Sequence, residues 1–184
     1  DDFKAYSDDT GFDPVELPDH PVQLAPEHIE ALKAIVGEQN LSTTDYDRLS
    51  VAYGATAYDL LRLRHKRIDS VPDVVLYPET SEQVEQIVAY STEHHIPLYV
   101  YGGGSSVTRG VEPTKGGISL DMRRNFNKVI SFNEIDQTIT VQAGMSGPDL
   151  EKTLQNAPEL FGAKRQYTCG HFPQSFEYSS VGGW

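Results

Sequence analysis

The sequence contains one cysteine, Cys169, among its 184 residues. A single cysteine excludes an internal disulfide and is typical of a reducing compartment. No apolar run approaches the roughly 20 residues that a membrane-spanning helix needs. The first residues, Asp-Asp-Phe-Lys-Ala-Tyr-Ser-Asp-Asp, are acidic, whereas a secretory signal peptide begins with positive charge. These absences predict an intracellular protein with no transmembrane segment.

Basic residues are also scarce, because 15 lysines and arginines face 27 aspartates and glutamates, for a formal net charge of −12. Nucleic-acid binding needs a surplus of lysine and arginine to displace counterions, so we expect no nucleic-acid partner. The one basic run, Arg62 to Arg67, is interpreted as the solvated face of a helix. A phosphate ligand must therefore be bound by local backbone dipoles, since the whole chain repels it at long range.

Residues 101–110 read Tyr-Gly-Gly-Gly-Ser-Ser-Val-Thr-Arg-Gly and follow an apolar run at 96–100 that predicts a buried strand. Glycine adopts positive φ readily, and successive N–H groups can then converge on an anion. The segment lacks the lysine of a Walker loop, and Val107 replaces the third glycine of the dinucleotide fingerprint. It is either a phosphate cradle of a third kind or a plain glycine turn, and the local residues leave both open.

Residues 1–69 are predicted to form an arm and a helical preface. The arm, residues 1–25, is acidic and proline-bearing, and we expect it to lie extended on another part of the chain. Pro26 opens a helix whose apolar stripe is Ile29, Leu32, Ile35 and Val36. A second helix is predicted over residues 57–66, with Leu60, Leu61 and Leu63 as its apolar residues.

Residues 70–184 are predicted to form the main domain, which begins with a strand–helix–strand unit. Its first strand, residues 74–77, is stopped by Pro78, and Thr80 with Gln83 makes a capping box for a helix with Val84, Ile87 and Val88 on one face. That helix ends near His94 and His95, which we interpret as helix-end residues and not as metal ligands, and we expect no metal. A strand over 98–101 leads into the glycine loop at its carboxyl end, where open α/β sheets bind ligands.

Three further strands are predicted at residues 117–122, 128–132 and 137–142, the last two as a hairpin. Ser146 then caps a helix with Leu150 and Leu154 facing inward, and Pro158 is predicted to end it. The arrangement predicts the α+β class, with one strand–helix–strand unit joined to meandering strands. The tail, residues 167–184, offers hydroxyls and glycines that suit a ligand or ordinary loop chemistry.

Five segments in this order carry a resemblance to a known family: 78–80, 101–106, 118–121, 141–144 and 170–184. Together they resemble the PCMH-type FAD-binding domain of the vanillyl-alcohol-oxidase flavoproteins, and within these the alkyldihydroxyacetonephosphate synthase branch. The specific part is Gly-His-Phe-Pro-Gln-Ser-Phe-Glu-Tyr-Ser-Ser-Val-Gly-Gly-Trp at 170–184, because the D-lactate dehydrogenase and glycolate oxidase branch differs there. The likeness is strong over 70–184 and weaker over 45–69, and it implies a C-terminally incomplete domain that belongs to a longer enzyme.

The resemblance implies two cofactor-binding segments. The first would wrap the FAD pyrophosphate with backbone amides and consists of Val100, Tyr101, Gly102, Gly103, Gly104, Ser105 and Ser106. The second would contact the flavin and consists of Gln174, Ser175, Phe176, Glu177, Tyr178, Ser179, Ser180, Gly182 and Gly183. The family often has isoleucine at the position of Tyr101 and aspartate at that of Gln174. Its catalytic residues are expected beyond Trp184, so none is named here.

The resemblance also implies that FAD is held noncovalently, since the first loop lacks the histidine to which some relatives attach flavin. Cys169 and His171 would lie near the flavin and are interpreted as packed loop residues. The implied function is acyl-for-alkyl exchange on acyl-dihydroxyacetone phosphate at flavin N5, in ether lipid synthesis. Two alternatives stay open: an FAD-linked oxidase or dehydrogenase of a small 2-hydroxy acid or alcohol, and a non-catalytic flavin-binding fragment or subunit.

The expected partners are FAD, a small-molecule or lipid-precursor substrate and the remainder of the chain itself. A second copy in a homodimer is left open. The expected compartment is the cytoplasm of a bacterium or, for a eukaryotic synthase, the peroxisome.

Overall fold

The computed structural model describes residues 14–184, so the first half of the predicted arm, residues 1–13, lies outside the described residues. Twelve helices and strands follow one another in this part of the chain. They are α1 (Pro26–Val36), β1 (Leu41–Ser42), α2 (Asp45–Ser50), α3 (Ala57–Arg64), β2 (Val74–Leu76), α4 (Ser81–Glu93), β3 (Leu98–Tyr101), β4 (Ile118–Asp121), β5 (Val129–Asn133), β6 (Thr138–Val141), α5 (Gly147–Gln155) and α6 (Ala157–Phe161). Short 3₁₀ turns occupy Glu38–Asn40 and Val181–Gly183.

The main sheet has the strand order β1-β2-β4-β3, with β2, β4 and β3 parallel and β1 antiparallel to β2. Ile118 of β4 is in register with both Val74 and Leu98. The predicted strand–helix–strand unit is confirmed, but its two strands do not pair, because β4 lies between them. Our assignment of β4 to a meander is wrong. All four of its residues are buried, as suits a central strand covered on both faces.

The connection from β3 to β4, residues 102–117, contains the glycine loop. Parallel neighbours require a crossover of a dozen or more residues, which is usually a helix. Here the structure gives this crossover no helix and no strand. The loop therefore stands at the carboxyl end of β3, as predicted, and is part of the connection that brings β4 into the sheet.

The largest cluster of buried side chains lies between the main sheet and helices α1 and α4. Its fully buried members include Leu32, Ile87, Ile118, Val74 and Leu76. Burying a side chain of this size contributes about 1.5–3 kcal/mol. The apolar stripe predicted for α1 is confirmed, whereas Val88 of α4 is 45% exposed and does not belong to the buried face.

The predicted helix caps are confirmed with one difference. Pro26 begins α1, and Ser146 caps α5 by accepting a hydrogen bond from the N–H of Asp149. The hydroxyl of Thr80 accepts from the N–H of Gln83, but the Gln83 side chain returns to the N–H of Glu79, one residue outside the predicted capping box. The start of α4 is therefore satisfied by a slightly wider version of the predicted cap.

Strands β5 and β6 form a separate antiparallel hairpin, as predicted. Leu150 and Leu154 of α5 are buried against side chains of this hairpin and of Met145. Pro158 does not end α5, which stops at Gln155. Instead Pro158 lies in the first turn of α6, where its missing N–H has no helical partner to lose.

The described part of the arm contacts the preface. Leu17 is buried with Ala52, Tyr53 and Val71, and its N–H donates to Asp45. In α3 the prediction is wrong for three residues, because Leu60 and Leu61 are 60% and 47% exposed, whereas Arg62 is buried and is not part of a solvated face. Since β1 is a strand of the main sheet and α1 packs against that sheet, the division of the chain at residue 70 stays a proposal.

Candidate functional site

A cavity of about 530 Å³ opens beside the glycine loop. Its walls come from the glycine loop, from the tail and from residues that neither prediction contained. The lining residues are Val100, Gly102, Gly103, Gly104, Ser105, Ser106, Val107, Thr108, Val111, Met122, Ala143, Ser179, Ser180, Gly182 and Gly183. The fold thus brings the two predicted segments, about 75 residues apart in sequence, to one site.

Five consecutive residues of the cavity wall, Gly102 to Ser106, have backbone N–H groups without a protein partner in the described part of the chain. Within residues 14–184, none of the N–H groups from Gly102 to Ser106 donates a hydrogen bond to another residue. The carbonyls at both ends of this run are engaged, since that of Tyr101 accepts from Met122 N–H at 3.0 Å and that of Ser106 from Ala55 N–H at 2.9 Å. Successive free amides of this kind can form a nest for an anion.

The glycines of the loop are required by its close packing. A Cβ on Gly103 would collide with the Tyr178 carbonyl and approach the Ser179 Cα to 2.7 Å. Gly104 has φ +70°, and its Cα packs on the hydroxyl of Tyr101. Since a positive φ and a buried contact both disfavour any side chain, the loop leaves its backbone as the surface that a ligand meets. This geometry fits a pyrophosphate held by amides.

The electrostatic character of the cavity is neutral. No lining residue carries a charged side chain. Asp121, at the end of β4, is paired with Arg123 at 2.6 Å, and Glu112 is paired with Arg109 at 2.6 Å. Polar groups in a fixed arrangement can replace the hydration of a bound phosphate without the cost of a buried, unpaired charge.

Tyr101 lies beneath the loop and does not line the cavity. It is 6% exposed, and its hydroxyl donates a hydrogen bond to the carbonyl of Tyr53 at 3.3 Å. Burial raises the pKa of the Tyr101 phenol above its ordinary value, so the hydroxyl keeps its proton and remains a donor. The guanidinium of Arg123 lies 4.7 Å above the centre of its ring. A role for Tyr101 in direct cofactor contact stays a prediction.

Only part of the second predicted segment lies at the cavity. Ser179, Ser180, Gly182 and Gly183 line the cavity. Trp184 donates from its indole Nε1 to the hydroxyl of Ser179 at 2.9 Å, and the Gly182 N–H donates to the Ala143 carbonyl at 2.9 Å. These bonds fix the tail against the segment that follows β6.

The remaining tail residues do not line the cavity: Gln174, Ser175, Phe176, Glu177 and Tyr178. Phe176 packs against Trp184, with ring centres 5.9 Å apart, and Tyr178 is 72% exposed. A flavin contact of these residues therefore stays a prediction.

Sequence reasoning missed five lining residues: Val107, Thr108, Val111, Met122 and Ala143. Three of them directly continue the glycine loop, so extending the loop to residue 111 could have found them. Ala143 falls in the segment 141–144 that already carried the resemblance. Met122 is apolar and follows a buried strand, and nothing in its chemistry distinguishes it from an ordinary core residue.

Cys169 and His171 also lie outside the cavity lining. Cys169 is half-buried against the α5 cluster, and its N–H donates to Glu151 at 3.0 Å. The ring of His171 stands 5.6 Å from that of Trp184. His94 is the C-cap of α4, as predicted. Across residues 14–184, no group of three or more His, Cys, Asp or Glu residues is placed to hold a metal ion.

None of the helices seen between residues 14 and 184 combines the length and the apolar character that crossing a membrane requires.

Comparison with known proteins agrees with this geometry. A family described as "FAD binding domain" matches residues 72–184. Among curated proteins, an alkyldihydroxyacetonephosphate synthase of Dictyostelium discoideum is 32% identical over 167 residues, which are 89% of this chain and 26% of that protein. The mitochondrial D-lactate dehydrogenase [cytochrome] 1 of Saccharomyces cerevisiae is 29% identical over 136 residues, 73% of this chain and 23% of that protein. The chain thus spans about a quarter of the length of these relatives.

Solved structures show the same relationship. A structure of an alkyldihydroxyacetonephosphate synthase superposes with a TM-score of 0.81 at 30% identity, covering 94% of this chain and 34% of the other. A p-cresol methylhydroxylase shares the fold with a TM-score of 0.57 at 17% identity, over 74% of this chain and 26% of the other. The predicted α+β fold of the PCMH type is therefore confirmed.

Proposed function

We propose a function from one premise, which is that this chain belongs to the FAD binding domain family and has FAD as its cofactor. Within this chain, the backbone amides from Gly102 to Ser106 hold the pyrophosphate of FAD. The observation that carries this assignment is the run of five N–H groups without a partner among the described residues, between two anchored carbonyls. Ser179, Ser180, Gly182 and Gly183 form the opposite wall and contact the same cofactor.

The protein's own residues bind and orient the cofactor. FAD supplies the redox-active ring system, and the fold positions it. The glycine loop presents amide dipoles to the phosphates, and the apolar side chains of Val100, Val111, Met122 and Ala143 complete the cavity wall. A hydrogen bond to a charged oxygen is worth about 1.5–3 kcal/mol. Several amides together therefore provide firm binding without any cationic side chain.

For the whole protein, we propose the activity of an alkyldihydroxyacetonephosphate synthase, in which an alkyl group replaces the acyl group of an acyl-dihydroxyacetone phosphate. Support comes from the 32% identity to such a synthase. The superposition on a synthase structure also includes most of the helical preface, since it covers 94% of the chain. Catalytic residues belong to the part of the enzyme outside this chain.

A product assay on the full-length protein tests this proposal. The protein, loaded with FAD, is incubated with an acyl-dihydroxyacetone phosphate and a labelled long-chain alcohol. We expect a labelled ether lipid and one free fatty acid for each ether formed. Failure to form the ether, from a protein whose visible spectrum shows bound flavin, would contradict the synthase assignment and leave the FAD assignment intact.

A second candidate function is an FAD-linked dehydrogenase of a small 2-hydroxy acid, which the 29% identity to a D-lactate dehydrogenase favours. An anaerobic titration with D-lactate and glycolate separates the two candidates. A dehydrogenase loses its flavin absorbance as the hydroxy acid is oxidised, whereas a synthase keeps it. Absence of both activities in a flavin-loaded protein would favour the third reading, a non-catalytic flavin-binding subunit.

A further inference from the structure

The turn at residues 53–55 contacts the far end of the glycine loop. The Ala55 N–H donates to the carbonyl of Ser106 at 2.9 Å. Gly54 packs its Cα on the same carbonyl, because a Cβ there would collide with the carbonyl oxygen and lie 3.2 Å from its carbon. The Ser106 carbonyl is thereby drawn to the turn. Because the atoms of a peptide group lie in one plane, this contact fixes the orientation of the peptide that ends the run of free amides.

The same turn supports the middle of the loop through Tyr101. The Tyr101 hydroxyl donates to the carbonyl of Tyr53 and lies directly under the Cα of Gly104. Gly104 is the residue of the run 102–106 with positive φ, at +70°. The phenol thus fills the space beneath the point where the backbone reverses its curvature. A shorter side chain at 101 would leave that point unsupported.

The turn itself is fixed from the other side. The Tyr53 hydroxyl accepts hydrogen bonds from the N–H groups of Asp69 at 2.8 Å and Ser70 at 3.2 Å. The guanidinium of Arg62 lies 4.2 Å from the centre of the Tyr53 ring. Tyr53 is therefore held by three independent contacts and can resist displacement of the loop.

From these contacts we infer that the turn Tyr53-Gly54-Ala55, acting through Tyr101, is the positioning element that holds the glycine loop in its anion-binding conformation. The inference rests on the proposed role of residues 102–106. It assigns a cofactor-positioning role to the preface, which the family match at 72–184 does not include. The element acts on the phosphates of the cofactor and leaves the flavin ring system to other residues.

The test compares Gly54→Ala with Gly110→Ala in the full-length apo-protein. Gly110 is the matched control, because a Cβ there has open space, with its nearest atom 4.0 Å away. Dissociation constants are measured for FAD, for ADP, which carries the adenosine and the pyrophosphate without the flavin, and for riboflavin, which has no phosphate. We expect Gly54→Ala to weaken FAD and ADP about tenfold or more, with riboflavin affinity and the apo-protein melting temperature unchanged. Gly110→Ala should behave as the wild type.

A second pair guards against a general folding defect in the Gly54 variant. Tyr101→Phe removes only the hydroxyl, and Tyr99→Phe on the same strand is its control, since the Tyr99 hydroxyl accepts a single hydrogen bond from the Lys115 N–H. We expect Tyr101→Phe to weaken FAD and ADP by about three- to tenfold and Tyr99→Phe to change neither.

The outcomes separate the two proposals. Unchanged FAD affinity in both Gly54→Ala and Tyr101→Phe overturns the positioning role. An equal loss for riboflavin and ADP does so too, because it indicates a general structural effect. A wild-type protein that binds riboflavin but shows no added affinity for FAD overturns the proposed pyrophosphate site itself, and with it the positioning role.

Discussion

Nη1 of Arg62 donates a hydrogen bond to Oε1 of Glu112 at 2.9 Å, and the two side chains are only 2% and 4% exposed. The pair joins helix α3 to the segment that follows the glycine loop. Arg62 also binds Asp59 and Asp69, while Glu112 binds Arg109. A run of basic residues that looks like a solvent-facing stripe thus contains the centre of a buried ionic network.

Replacing Arg62 with methionine should destabilise the fold strongly. The change leaves Asp59 buried without its counter-charge and Glu112 with Arg109 alone, and breaking a buried pair in this way costs about 3–5 kcal/mol. Urea unfolding measures the loss. Arg64→Met is the control, since Arg64 is exposed at the end of the same helix, and a change at such a site stays within about 0.5 kcal/mol. Equal stabilities for the two variants would contradict the network.

Stability should fall in acid because of the same network. Burial opposes ionisation of Glu112, but hydrogen bonds from Arg62 and Arg109 outweigh it, and its pKa lies below the ordinary value of 4.5. A carboxyl group whose pKa is lower in the folded than in the unfolded protein stabilises the fold at pH values above its unfolded pKa. This stability is lost as the pH falls through the folded pKa. Urea unfolding at a series of pH values should show this decline, and Glu112→Gln should flatten it. The exposed Glu85→Gln is the control and should leave the slope unchanged.

The flavin should be released by acid precipitation of the full-length protein. No cysteine, histidine or tyrosine side chain lines the described cavity, so this chain offers no nucleophile there for a covalent link. Absorbance spectra of the supernatant and pellet measure the partition. Colour retained in the pellet would contradict noncovalent binding, and Cys169→Ser and His171→Ala would then show whether either residue carries the bond.

Cofactor affinity should tolerate the loss of the loop hydroxyls. Ser105→Ala and Ser106→Ala keep every backbone N–H, so we expect the dissociation constant for FAD to change by less than about threefold, the equivalent of under 1 kcal/mol. Gly103→Ala should abolish tight binding, because its Cβ collides with the Tyr178 carbonyl. Fluorescence titration of FAD compares the three variants. A large loss in both serine variants would show that hydroxyls, and not amides, hold the phosphates.

Local sequence signals predicted the elements that carry the site. The strand before the glycine loop, the cap at Thr80 and the cap at Ser146 each depend on neighbours within a few residues, and all three are present. The prediction that this strand is buried is wrong, because β3 lies at the edge of the sheet and its Val100 is 58% exposed. The two site segments were placed together only by resemblance. Their contact, Gly103 against Tyr178 and Ser179, spans about 75 residues, and no local rule specifies it.

Two of the errors, those on Arg62 and β4, originate in long-range contacts, whereas the error on Pro158 is local. Arg62 was assigned to solvent because its partner Glu112 lies 50 residues away. The assignment of β4 to a meander is wrong because no local sequence signal indicates that this strand pairs between β2 and β3. Pro158 was predicted to stop a helix, although the same lack of an N–H equally suits the start of the next one.

The strand order has a consequence for the path by which the chain folds. β4 pairs with β2 across 44 residues, as from Val74 to Ile118, and contacts so distant in sequence form slowly because the closing loop loses entropy. Both anchored carbonyls of the glycine loop depend on distant partners, so the amide nest is complete only once β4 is inserted. FAD should therefore slow unfolding without accelerating refolding, and stopped-flow kinetics with and without the cofactor would measure this asymmetry.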